Sequence, residues 1–86
     1  MLIEVKNASR GGINFYSDQP LEVEKRYTIT LGPPHLDEPM ALGLTVVRCV
    51  ENTDVDSPLF RYEFGCRLDE PLPEDVIRRL AAGAVR

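Results

Sequence analysis

Tryptophan is absent from this 86-residue chain, histidine occurs once, and cysteine occurs twice. Each shortage excludes a class of chemistry. His35 follows Pro33-Pro34 in a loop-like stretch, with no serine, cysteine or acid at a spacing that would build a dyad or triad. Cys49 and Cys66 stand singly, so no zinc spacing exists; both lie in apolar stretches and read as buried, reduced thiols. No phosphate loop, nucleophile elbow or set of paired metal ligands occurs, and the chain reads as a non-enzyme with no resident cofactor. No apolar run approaches the roughly 18 residues of a membrane span. Met1-Leu2-Ile3-Glu4 lacks the basic and apolar regions of a signal peptide, so the expected compartment is the cytoplasm. Positive charge is also in deficit. Ten Lys and Arg against fourteen Asp and Glu leave a net charge of −4, which disfavours duplex DNA and anionic lipid as partners.

What is present reads as one soluble domain over residues 1–86, with 43% hydrophobic and 28% charged residues. Period-two alternation dominates and predicts strands with one buried face. Ile3 and Val5 alternate with Glu4 and Lys6, and Ile13 and Phe15 resume the pattern. Tyr27, Ile29 and Leu31 alternate with Arg26, Thr28 and Thr30, and Gly32-Pro33-Pro34 ends that strand because proline donates nothing to a ladder. Leu42, Leu44 and Val46 share a face; Val47 and Cys49 then break the phase, which predicts a bulge. Asn52 to Pro58 reads as a polar loop, and Phe60, Tyr62, Phe64, Cys66 and Leu68 form the last alternating run. Five strands result.

The period then changes. Pro73 suits the first helical position, Glu74 and Asp75 complement the N-terminal dipole, and Val76, Ile77, Leu80 and Ala81 share one helical face. Gly83 is placed to stop the helix. A helix this short is marginal alone, so it is expected to pack on the sheet or cap a barrel end.

The chemically informative stretch is Asn7-Ala8-Ser9-Arg10-Gly11-Gly12, between two strands. Asn, Ser and Gly are ordinary turn residues, and glycine permits positive φ. This stretch also gathers an amide, a hydroxyl and a guanidinium beside approachable backbone N–H groups, a set suited to a nucleotide base and its phosphate. It matches the [DN]-x-S-x-x-G signature of PilZ domains at Asn7, Ser9 and Gly12. Ile13-Asn14-Phe15 resembles the strand that follows in that family. Leu42-Gly43-Leu44-Thr45-Val46-Val47-Arg48 resembles its later G-x-V-V-R strand, and Arg61 to Leu68 its closing strand.

The resemblance implies an all-β fold: an antiparallel, PilZ-like β-barrel, half-open with five strands visible, closed by one short C-terminal α-helix. It implies a bacterial signalling module that receives cyclic di-GMP, with Asn7 and Ser9 bonding guanine and phosphate. Gly11 and Gly12 would allow close approach, and Arg10 would add charge. The family's site has a second half, an upstream R-x-x-x-R loop leading into the first of six strands. These 86 residues contain no R-x-x-x-R, and they start at what matches the family's second strand. Two charge-assisted contacts are worth about 3–6 kcal/mol together, so the expected binding is weak. The alternative is a degenerate PilZ-like module that binds no nucleotide and works through protein partners in motility, pilus or biofilm functions. The strand Leu2–Lys6 lacks its family neighbour and is expected to offer an open edge, most simply to a second copy in a homodimer.

Overall fold

The structure is a computed structural model and describes residues 3–33, 36–52 and 60–84. His35 and most of the loop expected from Asn52 to Pro58 lie outside the described residues. Five strands, β1 (Ile3–Ala8), β2 (Gly12–Ser17), β3 (Arg26–Leu31), β4 (Met40–Glu51) and β5 (Tyr62–Leu68), precede one helix, α1 (Glu74–Ala84). The strands make one antiparallel sheet in the order β1-β2-β5-β4-β3, curled into a half-barrel whose outer strands, β1 and β3, do not meet. The all-β architecture with a terminal helix is therefore as the alternation requires.

Alternation fills the concave face. Val5, Ile13, Phe15, Ile29, Leu31, Leu42, Leu44, Val46, Phe64, Cys66 and Leu68 form the buried cluster, because every second residue of a strand points the same way. Phe15 lies opposite Phe64 in the β2–β5 register, with ring centroids 5.6 Å apart at 47°. A tilted pair of this kind adds about 0.5–1.5 kcal/mol beyond its buried area.

Two bulges reset the alternation. In β4 the register shifts between Val46 and Arg48, so Val46 faces the core while Arg48 faces out, and Val47 is left 51% exposed. This is the expected phase break. In β1 a second shift falls between Val5 and Asn7. Without it Asn7 would share the inward face of Val5; with Lys6 as the extra residue, Asn7 turns outward.

The helix starts as its sequence directs. The Ile77 N–H donates to the Pro73 carbonyl at 3.1 Å, with Glu74 and Asp75 in the first turn. It does not stop at Gly83, as expected, but runs through to Ala84. Glycine disfavours a helix interior by only about 1 kcal/mol, too little to end one by itself. α1 lies against β1. Leu80 is fully buried, Val76 and Ile77 are half-buried, and Arg79 pairs with Asp37 of the β3–β4 connection.

β4 outruns β3. The last paired residues are Arg26 and Thr45; beyond them Glu24 N–H reaches the Val46 carbonyl at 2.6 Å and Val46 N–H the Lys25 carbonyl at 3.1 Å. Glu24 then takes a left-handed conformation, φ 70°, and the chain leaves the sheet. Among the described residues, Arg48–Glu51 pair on the β5 side alone. None of the helices among the described residues is long and apolar enough to cross a membrane.

The two thiols differ, against the expectation that both are buried. Cys66 is buried in the core, whereas Cys49 is exposed because nothing described covers the concave face at the far end of β4. Burial pushes the Cys66 thiol up to about 12. Labelling with a thiol reagent near pH 8 should therefore modify one cysteine per folded chain, Cys49, and the second only in denaturant. Because the unfolded thiol ionises near 9 and the folded one near 12, folding stability should fall as pH rises through that window. Rapid labelling of both thiols in the folded chain would contradict the placement of Cys66.

Candidate functional site

The stretch singled out in the sequence lies across the end of β1, a tight connection and the start of β2. Only Ser9, Arg10 and Gly11 form the connection. Asn7 belongs to β1, not to the turn, and Gly12 opens β2. The Ser9 N–H donates to the Gly12 carbonyl at 2.9 Å and closes the turn, with the Ser9 hydroxyl 3.4 Å from the same oxygen.

The turn is fastened to the far end of the chain. The Leu68 N–H donates to the Gly11 carbonyl and the Leu72 N–H to the Arg10 carbonyl, each at 2.9 Å. Among the described residues the N–H groups of Arg10 and Gly11 donate to nothing.

Neither glycine has positive φ, so the left-handed freedom expected of them is not what the turn uses. They differ in surroundings. A Cβ on Gly12 would lie 3.1 Å from the Cys66 carbonyl oxygen, inside the β2–β5 ladder, whereas a Cβ on Gly11 would meet nothing within 4 Å. Close backbone approach is therefore the reason for Gly12, and Gly11 has an open flank.

Outward-facing residues extend the site across the convex face. Asn7 is opposite Asn14, Asn14 opposite Gly65, and Gly65 opposite Arg48, one row over four strands. Gly65 is bare because the space above it is occupied: its Cβ would lie 3.2 Å from both Arg48 Nε and Asn14 Oδ1. Glu63 accepts from Arg48 at 3.4 Å and from Lys6 at 3.2 Å, and the Lys6 ammonium stands 5.9 Å from the centre of the Tyr16 ring.

Beside the turn lies an open depression of about 440 Å3, lined by Arg10, Gly11, Arg67, Leu68, Asp69 and Pro71. Arg67 sits opposite Gly12 in the β2–β5 register. Asp69 is already engaged by Arg26 at 2.5 Å, above the bare position of Gly43. Arg10 and Arg67 have no carboxylate partner among the described residues.

The structure thus brings Ser9, Arg10, Gly11 and Gly12 together at one rim and sets Asn7 on the adjoining outer face. Sequence reasoning missed Asn14, Arg48 and Arg67. Their outward phase was readable from the alternation, but which of them stand beside Asn7 and Gly12 depends on a cross-strand register. Among the described residues no cluster of His, Cys, Asp and Glu is arranged to hold a metal ion.

Substitutions at the turn should separate by space rather than by φ. Gly12→Val should lower stability by about 1–3 kcal/mol through crowding of the Cys66 carbonyl. Ser9→Ala and Gly11→Ala should stay within about 0.5 kcal/mol, since the one loses a long, exposed hydrogen bond and the other fills open space. Thermal or urea melts of the three variants measure this; a Ser9→Ala loss equal to that of Gly12→Val would refute the spatial assignment.

A family model described as PilZ domain matches residues 3–84. No curated protein and no solved structure matches the chain.

Proposed function

This chain belongs to the PilZ domain family, and from that premise we propose that it is a bacterial, cytoplasmic signalling module of the cyclic di-GMP receptor type, without enzymatic activity. The observation that carries the reading is the turn itself. Ser9, Arg10 and two undonated N–H groups share one rim, with Asn7 turned outward beside them by the β1 bulge. In this reading Asn7 and Ser9 bond a guanine edge and a phosphate. Arg10 supplies charge, the open flank of Gly11 lets the ligand close on the turn, and Gly12 keeps β2 close to β5.

The ligand contacts available within these 86 residues are few. With no R-x-x-x-R in the sequence, the contact arithmetic gives affinity no tighter than roughly tens of micromolar. Calorimetric titration with cyclic di-GMP should return a constant in that range or weaker. A submicromolar constant would overturn the arithmetic, and no binding at millimolar ligand would remove the receptor reading.

A second reading, a protein-interaction module, is favoured by one feature of β4. Val47–Glu51 offer a strand edge unpaired on one side among the described residues, with Val47 51% and Val50 39% exposed. An edge of this kind adds a strand from another chain. The edge expected from the sequence was that of β1, against which α1 lies. In this reading self-association uses the projecting end of β4, and the partner is a second copy. Five residues of pairing bury much less than the roughly 1,200 Å2 of a stable interface, so the dimer should be weak. Light scattering after size exclusion should show a mass rising from 9.7 kDa towards twice that value with concentration, and Cys49→Pro, which removes an N–H on the edge side and none from the β4–β5 ladder, should abolish the rise. A monomer at all concentrations would remove the homodimer.

A further inference from the structure

Two arginines that have no carboxylate partner among the described residues border the same depression, and they come from opposite ends of the chain. Arg10 lies in the turn before β2, and Arg67 lies near the end of β5. Their meeting is set by the sheet. Arg67 is opposite Gly12 on one side and Thr45 on the other, all on the convex face. Position 12 carries no side chain to stand between Arg67 and the turn. Asp69, the only acid in the lining, is held by Arg26 at 2.5 Å and is not left to neutralise either arginine. Among the described residues the N–H groups of Arg10 and Gly11 donate no hydrogen bond. Two guanidinium-bearing residues line a depression of about 440 Å3, beside a turn with two backbone N–H groups that donate to nothing among the described residues; these are the donor types of a phosphate-ester site, in a chain whose net charge otherwise repels anions.

We propose that Arg67, acting with Arg10, is a phosphate-binding residue of this chain, and that the depression beside the turn is the subsite for a phosphodiester group of the ligand. The proposal rests on the receptor reading for the identity of the whole ligand, but the anion site stands on its own geometry. It assigns to β5 a charge that the turn alone does not supply. Guanidinium suits this role because it presents paired donors to two phosphate oxygens, which an ammonium cannot match.

The experiment compares the unmodified chain with Arg67→Gln, Arg67→Lys and Arg61→Gln. Arg61 is exposed and does not line the depression, so its variant removes the same charge elsewhere. Titration with cyclic di-GMP should be about 10- to 100-fold weaker for Arg67→Gln, intermediate for Arg67→Lys, and within twofold of the unmodified chain for Arg61→Gln. Thermal midpoints of the Arg67 variants should be unchanged, because among the described residues Arg67 makes no ion pair to lose.

A parallel titration with inorganic pyrophosphate, followed by amide NMR shifts, should move Arg10, Gly11 and Arg67, and Arg67→Gln should suppress the movement. The two arms separate the failures. Binding of cyclic di-GMP that Arg67→Gln leaves within twofold overturns the clamp and leaves the receptor reading standing. Arg67-dependent pyrophosphate shifts without any response to cyclic di-GMP overturn the receptor reading and leave the clamp standing. Equal weakening by Arg61→Gln and Arg67→Gln reduces the effect to net charge and overturns the clamp.

Discussion

The pairing of β2 with β5 is the constraint on which the rest of the molecule depends. It unites residues about fifty positions apart, so its loop-closure entropy must be met by what it brings together. On the concave side it sets Phe15 against Phe64 at the centre of the core. On the convex side, in the same register, it sets Gly12 against Arg67 and Asn14 against Gly65. Core and candidate site are thus the two faces of one ladder. A slip of one residue would bury the arginine and expose the phenylalanine together.

The bulges give that ladder its chemistry. A strand of strict alternation either buries a residue or exposes it, and the sequence pattern of β1 would send Asn7 inward with Val5. One extra residue at Lys6 reverses the phase, and Asn7 reaches the convex face while Ala8 still packs on the core. β4 repeats the device at Val47, which turns Arg48 outward over the bare Gly65. In both strands a polar group is placed on the outer face; in β1 core packing continues on either side of the bulge, whereas in β4 the residues beyond it are exposed.

Much of the fold was legible because buried strands announce themselves by period two. The alternations from Ile13, Tyr27, Leu42 and Phe60 each produced a strand, the last of them starting only at Tyr62, and the break at Val47 produced a bulge. The β1 bulge was not legible, because Lys6-Asn7 is polar and Ala8, the apolar residue that is out of phase, stands inside a turn-like run, Asn7-Ala8-Ser9-Arg10. The signature residues from Asn7 to Gly12 were legible as a motif. Their division into strand, turn and strand was not, and the reason for Gly12 proved to be a carbonyl 3.1 Å from its missing Cβ, not its φ. Arg67 stayed hidden as a site residue because its neighbours across the sheet lie far away in sequence. Cys49 misled for the opposite reason: its apolar neighbours imply cover that the open end of β4 does not provide.

The two hydrogen bonds from Leu68 and Leu72 to the carbonyls of Gly11 and Arg10 have a consequence for how the molecule opens. Leu72 is buried at the root of α1, two residues before the helix begins. The connection between β1 and β2 therefore cannot loosen without freeing the amides that anchor the helix to the sheet. The turn and the helix root form one cooperative unit, with one local opening free energy in place of two. Whatever stiffens the turn also protects the amides of Leu68 and Leu72 from exchange with solvent, and the state of a surface loop is written into the mobility of the helix at the other end of the chain.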